Sequence, residues 1–271
     1  MNEELPIFLR PSDLHAVMSD PGVQIVAVDS ASDYASAHIP GALQIAMADF
    51  TASDGTTGGL IPEPAALAAR LSDAGLRNDV HIVAYDRVGD GQAARLCYTL
   101  DAMGHGAFSV LDGGLAAWHA ASLPLETGEP AAGASHFELT PRSETIADRA
   151  WIESHLDRSD TTFLDVRSEA EFAGEDVRSA RGGHIPGAVN LDWQLLKDSN
   201  GQLRDLDTVR GLLAAHGIEP ADEIVAYCQT HVRSSYVYLV LKALGYDRLR
   251  GYPGAWSDWG NQSDTPVEAG R

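Results

Sequence analysis

Short, mostly apolar runs alternate along the chain with longer stretches in which apolar residues recur near helical spacing. The runs at 24–29, 80–85, 162–166 and 223–227 are rich in Val, Ile, Ala and Tyr, as in strands covered on both faces rather than on one. The stretches at 64–74, 92–103, 206–216 and 234–244 read as helices, and Gly75, Gly104, Gly217 and Gly245 follow them as stop signals. Strand and helix in alternation predict βαβ units, and so an α/β class with mostly parallel sheets and helices on both faces.

The pattern occurs twice. "HIPGA" begins at His38 and again at His184, an offset of 146; "IVAY" begins at Ile82 and Ile224, an offset of 142; and the pair Ala117-Trp118 aligns with Ala255-Trp256, an offset of 138. Three anchors in one order with a small drift predict a duplicated domain with a few loop indels. The stretch 127–142, "TGEPAAGASHFELTPR", is rich in Gly, Pro and Ala and reads as a linker between domains at 1–126 and 143–271. In each copy an aspartate (Asp29, Asp165) ends the first strand. Because both copies keep that aspartate and the "HIPGA" histidine, a structural role is expected for all four residues, and Trp118, Trp256 and Trp259 read as core anchors.

Length and charge narrow the chemistry. The 271 residues, 44% of them hydrophobic, suffice for two cores of roughly 130 residues each. A formal charge of −20 argues against nucleic-acid or anionic-membrane partners, since a polyanion would be repelled. No apolar run of about 18 residues suggests a membrane span, and the N-terminal residues lack the order of a secretion signal, so a cytoplasmic location is expected. The two cysteines, Cys97 and Cys228, are too few for a disulfide framework or a zinc cluster. The histidines are scattered, and the Gly-Gly pairs at Gly58, Gly113 and Gly182 fit no nucleotide motif, so neither metal nor cofactor is expected.

The two cysteines differ in setting. Cys97 lies inside a helical pattern beside Leu96 and Leu100 and reads as core. Cys228 stands where the run 223–227 stops, and Gln229, Thr230, His231, Val232 and Arg233 separate it from the helix opening at Ser234. A short loop from the carboxyl end of a strand to the amino end of a helix converges backbone N–H groups and the positive end of the helix dipole on one spot. A thiol there is favoured as thiolate, below its usual value of about 8.5, and His231 and Arg233 add to the effect if they face inward.

At these residues the chain resembles the tandem-domain rhodanese family. The likeness rests on the two "HIPGA" copies, the strand–Cys–loop–helix in the second copy alone, and the closing "GYPGAWSDWGN"; the loop "CQTHVRSS" with "EDVRSARGGHIPGAVNLDW" upstream is similar to the bacterial thiosulfate sulfurtransferases of that family. The resemblance implies an inactive first domain, with Asp86 in place of the cysteine, and a second domain that moves sulfur through a covalent persulfide on Cys228. Its expected partners are a small anionic sulfur donor and cyanide or a thiol as acceptor, with a protein acceptor as an alternative. Loop N–H groups from Gln229 to Ser234 would hold the anionic sulfur.

Arg178, Arg181 and Trp193 are further candidates for the cleft, and for the arginines, Arg167 among them, pairing with Asp165, Glu171 or Glu175 is the competing reading. Glu171 stands where many tandem sulfurtransferases have an arginine, which counts against 3-mercaptopyruvate as donor. A phosphatase is the rival from another reaction class; it needs C-x5-R, whereas Cys228 and Arg233 make C-x4-R.

Overall fold

In the computed structural model, residues 5–130 and 133–270 are described. The chain divides into two units, the first formed by 1–51, 62–142 and 199–203, the second by 52–61, 143–198 and 204–271.

The first unit contains β1 (Phe8–Leu9), α1 (Pro11–Val17), β2 (Val23–Val28), α2 (Ala31–Ser36), β3 (Leu43–Ile45) and α3 (Met47–Phe50). The chain then lends β4 (Ala52–Ser53) and β5 (Gly58–Leu60), an antiparallel hairpin, to the second unit. It returns with α4 (Pro64–Asp73), β6 (His81–Tyr85), α5 (Gln92–Ala102), β7 (Phe108–Leu111) and α6 (Gly114–Ala120). The sheet order is β1-β7-β6-β2-β3, with every pairing parallel. Leu14, Ile25, Val83, Tyr85 and Trp118 meet in one core cluster.

The second unit contains α7 (Arg149–Glu153), β8 (Thr161–Asp165), α8 (Glu169–Ala173), β9 (Val189–Asn190), α9 (Leu206–Ala215), β10 (Glu223–Tyr227), α10 (Arg233–Ala243), β11 (Leu249–Gly251) and α11 (Ala255–Trp259). Its sheet, β11-β10-β8-β9, is also parallel throughout. β10 is flanked on both sides, so Ile224, Val225, Ala226 and Tyr227 are all buried, as the unbroken apolar run requires. Ile152, Phe163, Val225, Tyr227, Trp256 and Trp259 pack as its core. Truncating any of the three buried tryptophans to Ala costs about 3–5 kcal/mol.

Each strand and helix expected from periodicity is present within one residue at either end. The short strands β1, β3, β7, β9 and β11 were not among them, because two to four residues carry too little pattern. Residues of α10 from Ser234 to Leu241 are buried all round, so this helix lacks a polar face.

Three expectations change. The segment 127–142 is bonded to the first unit rather than left as a spacer: Phe137 is buried, its N–H donates to Ser72 Oγ, Thr140 N–H donates to the Met103 carbonyl, and Arg142 pairs with Asp101 at 2.8 Å. Its Gly/Pro content reflects an irregular path, and its ladder is made with loop and helix-end groups that sequence does not reveal. The second change concerns the domain boundaries, because 52–61 and 199–203 each belong to the other half's unit.

The third is the counterpart of Trp118. Its indole donates to the Pro124 carbonyl at 2.7 Å, as the Trp259 indole does to Pro266 at 2.8 Å, and Leu115 N–H reaches Asp86 O as Trp256 N–H reaches Cys228 O. Trp118 therefore matches Trp259 and not Trp256, at the same offset of 141 that relates Val110 of β7 to Gly251 of β11. No helix among the described residues is long and apolar enough to cross a membrane.

Candidate active site

β10 delivers Cys228 to the carboxyl edge of its sheet, and α10 leaves from Arg233. Two hydrogen bonds to the start of α11 draw the loop's carbonyl oxygens away from the sulfur: Trp256 N–H donates to Cys228 O at 3.0 Å and Ser257 N–H to Gln229 O at 2.9 Å. The Cys228 side chain is 1% exposed. Burial alone pushes the thiol's pKa up. The Arg233 guanidinium, the Ser234 hydroxyl at 3.4 Å and the N–H groups of Ser234 and Thr230 outweigh that effect, and the net displacement is downward. The arrangement favours the nucleophilic thiolate more than an ordinary thiol's surroundings do.

Arg233 is gripped by a second charge. Its two terminal nitrogens donate to the two oxygens of Glu171 at 2.7 and 2.9 Å, a bidentate pair between α10 and α8. Burial raises the Glu171 pKa, but the bonds and charge of Arg233, the charge of Arg178 and the Ser168 N–H bring it to about 2. Arg233 in turn is raised above its ordinary value, because Glu171 and Cys228 outweigh its own burial. Sulfur, guanidinium and carboxylate thus form a line of alternating charge. Glu171 is held by its own helix start, where Ser168 Oγ accepts the Glu171 N–H and the Glu171 carboxylate accepts the Ser168 N–H, a capping box.

The hairpin β4–β5 closes over the loop. Gly58 N–H donates to Ser257 Oγ at 3.1 Å, Ser257 Oγ donates to Gly58 O at 2.9 Å, and Asn261 Nδ2 reaches Thr56 O at 3.3 Å. Gly59 has φ +77°, and a Cβ there would collide with the Thr230 carbonyl. Only glycine satisfies both conditions.

The remaining candidates serve the frame. His231 is fully buried, with its ring against Ser234 Oγ. Gln229 Nε2 bonds Arg178 O at 3.2 Å and Ser179 Oγ at 3.1 Å, tying the upstream segment to the loop. Val232 is the N-cap position of α10, in αR geometry and half-buried. Arg167 is committed to Asp165 in a fully buried pair at 2.6 Å and lies over the Trp256 ring.

Arg178 pairs with Asp176 at 2.7 Å and lies 3.8 Å from Glu171; it reinforces the charge line without touching the sulfur. Arg181 is spent on the Thr265 carbonyl and hydroxyl and the Trp259 carbonyl, which corrects its placement as a cleft residue. Trp193 is half-buried, edge-on to Tyr236 with the Lys197 ammonium 4.1 Å from its ring centre. Among the described residues no cluster of His, Cys, Asp and Glu could hold a metal ion.

Sequence reasoning missed the Glu171–Arg233 pair, Ser257 and the Gly58–Gly59 hairpin. The capping-box spacing marks Glu171 as a helix-start residue, but nothing local announces a partner 62 positions away. Gly58–Gly59 registered only as a failed nucleotide motif.

Two parallel-sheet units, one of them ending its central strand in a cysteine cradle, define the class as a duplicated α/β protein with a single thiolate site. The chain belongs to the rhodanese family, whose rhodanese-like domain matches residues 10–121 and again 148–262. It is similar to the thiosulfate sulfurtransferase of Azotobacter vinelandii, 40% identical over 264 residues and 97% of each chain, and to that of Pseudomonas aeruginosa, 39% identical over 265 residues and 98% of each. SseA from Escherichia coli, solved in a study of the "Rhodanese" fold and the catalytic mechanism of 3-mercaptopyruvate sulfotransferases, superposes with a TM-score of 0.84 at 26% identity, over 93% of this chain and 99% of that one.

Proposed function

We propose that the protein is a cytoplasmic thiosulfate sulfurtransferase that works by double displacement through Cys228 and needs no further cofactor. The thiolate attacks the outer sulfur of thiosulfate, the sulfur–sulfur bond of the donor breaks, and sulfite leaves with the bonding pair. Cys228 then carries a persulfide, whose terminal sulfur is attacked by cyanide or a thiol; thiocyanate or a new persulfide departs and the thiolate is restored. Thr230 and Ser234 N–H groups with Arg233 hold negative charge on sulfur at each stage, as an oxyanion hole does for oxygen. The observation that carries this reading is the buried sulfur whose charged form is favoured despite its burial. The relatives at 39–40% identity support thiosulfate as donor.

Glu171 favours the same donor over 3-mercaptopyruvate. Its carboxylate occupies both arms of Arg233, so a donor carboxylate would meet a negative group where it needs a fork of N–H donors. The same commitment weakens a phosphatase, which requires its loop arginine for phosphate.

Mass spectrometry after thiosulfate treatment tests the reading. One added sulfur on the Cys228 peptide is expected, removed by cyanide with release of thiocyanate, and with a slower or absent response to mercaptopyruvate. A loaded Cys228 that cyanide and small thiols fail to discharge points instead to a protein acceptor, and failure of both donors to load it overturns the proposal.

A further inference from the structure

His231 occupies a position where its side chain is costly to keep. Its φ is +60°, in the left-handed region that glycine tolerates best, and the equivalent residue of the first repeat, Gly89, has φ +69°. A β-carbon in that conformation costs roughly 1–2 kcal/mol. The ring is nonetheless buried completely, and Ser235 Oγ fixes the residue by donating to its carbonyl at 2.5 Å. Its Nδ1 lies 2.7 Å from Ser234 Oγ, and that oxygen lies 3.4 Å from the Cys228 sulfur.

A serine hydroxyl has one proton to give. If His231 Nδ1 is an acceptor, that proton goes to the ring and the sulfur receives none. If Nδ1 carries hydrogen, the ring donates to Oγ, and the hydroxyl proton is left to point at the sulfur. We propose that His231 is a positioning residue that, by donating from Nδ1, aims the Ser234 hydroxyl at Cys228 and so sets how much of the thiol is ionised. The role deepens the sulfur-transfer reading and rests on it. The other charges acting at the sulfur come from α10 (Arg233) and, behind it, from α8 and the segment that follows (Glu171, Arg178). None of these meets Ser234 Oγ in place of the ring.

The test is the pH dependence of Cys228 alkylation by iodoacetamide in the full-length protein. Ser234→Ala and His231→Gly each remove the directed proton, and each is expected to raise the thiol's titration midpoint by about one pH unit, which is about a tenfold loss of thiolate below the midpoint. The double variant is expected to shift no further than either single one. His231→Asn, which tolerates positive φ and can place an amide N–H near Nδ1, is expected to keep the parent profile. Because His231→Gly relieves backbone strain, its fold is expected to persist, and its melting temperature checks this. In nitrogen-15 histidine spectra, hydrogen on Nδ1 of His231 is expected.

A parent-like profile for His231→Gly, additive shifts in the double variant, or hydrogen on Nε2 alone would each overturn the role. Sulfur loading by thiosulfate is read separately. If loading fails while the alkylation profiles behave as described, the transfer reading falls and the aimed hydroxyl stands.

Discussion

The two halves build the same cradle and fill it differently. Tyr85 and Tyr227, one residue before the decisive position, hold the "HIPGA" turn in the same way, each hydroxyl oxygen accepting a backbone N–H, from Ile39 at 3.1 Å and from Ile185 at 3.2 Å. His38 stacks on Tyr34 at 3.8 Å and His184 on Phe172 at 3.6 Å, and each pairs in a bridge with a glutamate late in its half, Glu126 or Glu268. Then the halves part. In the first, the Asp86 carboxylate accepts the N–H of Gly89 at 2.5 Å and of Ala93 at 3.1 Å, so a tethered anion consumes the donors that an incoming anion would use. In the second, the N–H groups of Thr230 and Ser234 face a sulfur that can form a bond. The scaffold supplies the field, and one side chain decides whether the field is spent on structure or on chemistry.

The largest expected effect comes from exchanging those residues. Cys228→Ser is expected to remove thiocyanate formation altogether, and adding Asp86→Cys to that variant is expected to restore none. Gly91 and Gln92 stand in the first half where Arg233 and Ser234 stand in the second. Any turnover by the double variant would break the comparison.

Next comes the contrast between the two thiols. Burial pushes Cys97 upward with little to oppose it, whereas the cradle brings Cys228 down. Peptide mapping after brief iodoacetamide treatment at neutral pH is expected to find Cys228 labelled roughly a hundredfold faster than Cys97.

Glu171 gives the third. Its folded-state pKa of about 2 lies below the ordinary 4.5, so its contribution to stability is complete above about pH 4.5 and is lost as pH falls toward 2. The shift corresponds to something on the order of 3 kcal/mol. Glu171→Gln is expected to lose that amount at neutral pH and to flatten the acid limb of a urea-denaturation series. Asp33, at the matching helix start of the first half, faces Ser30 and is exposed; Asp33→Asn is expected to cost less than about 1 kcal/mol.

The smallest effects separate the two lent arms. Gly59→Ala is expected to cost about 1–3 kcal/mol and to lower kcat, because its β-carbon drives against the Thr230 carbonyl. Gly201, in the arm lent to the first unit, has φ +76°, but its β-carbon would come no nearer than 3.8 Å to Val88 O. Gly201→Ala is expected to cost about 1 kcal/mol and leave turnover unchanged. Thermal melts and steady-state rates on the pair check both halves of the statement.

The sequence by itself determined the duplication, the parallel α/β class, the strands β2, β6, β8 and β10, and the cysteine at the end of β10. Each is a local matter of period or of residues that recur in order, and backbone physics fixes what a strand-to-helix loop offers an anion. Only the tertiary structure decided that Glu171 holds Arg233, that Arg181 turns to Thr265, that Trp118 answers to Trp259, and that a glycine hairpin from the first half lies on the loop of the second. Those facts depend on which side chains meet after the chain has returned on itself. Charge pairing and close packing act through distances of a few ångströms, and spacing along the chain carries no measure of them.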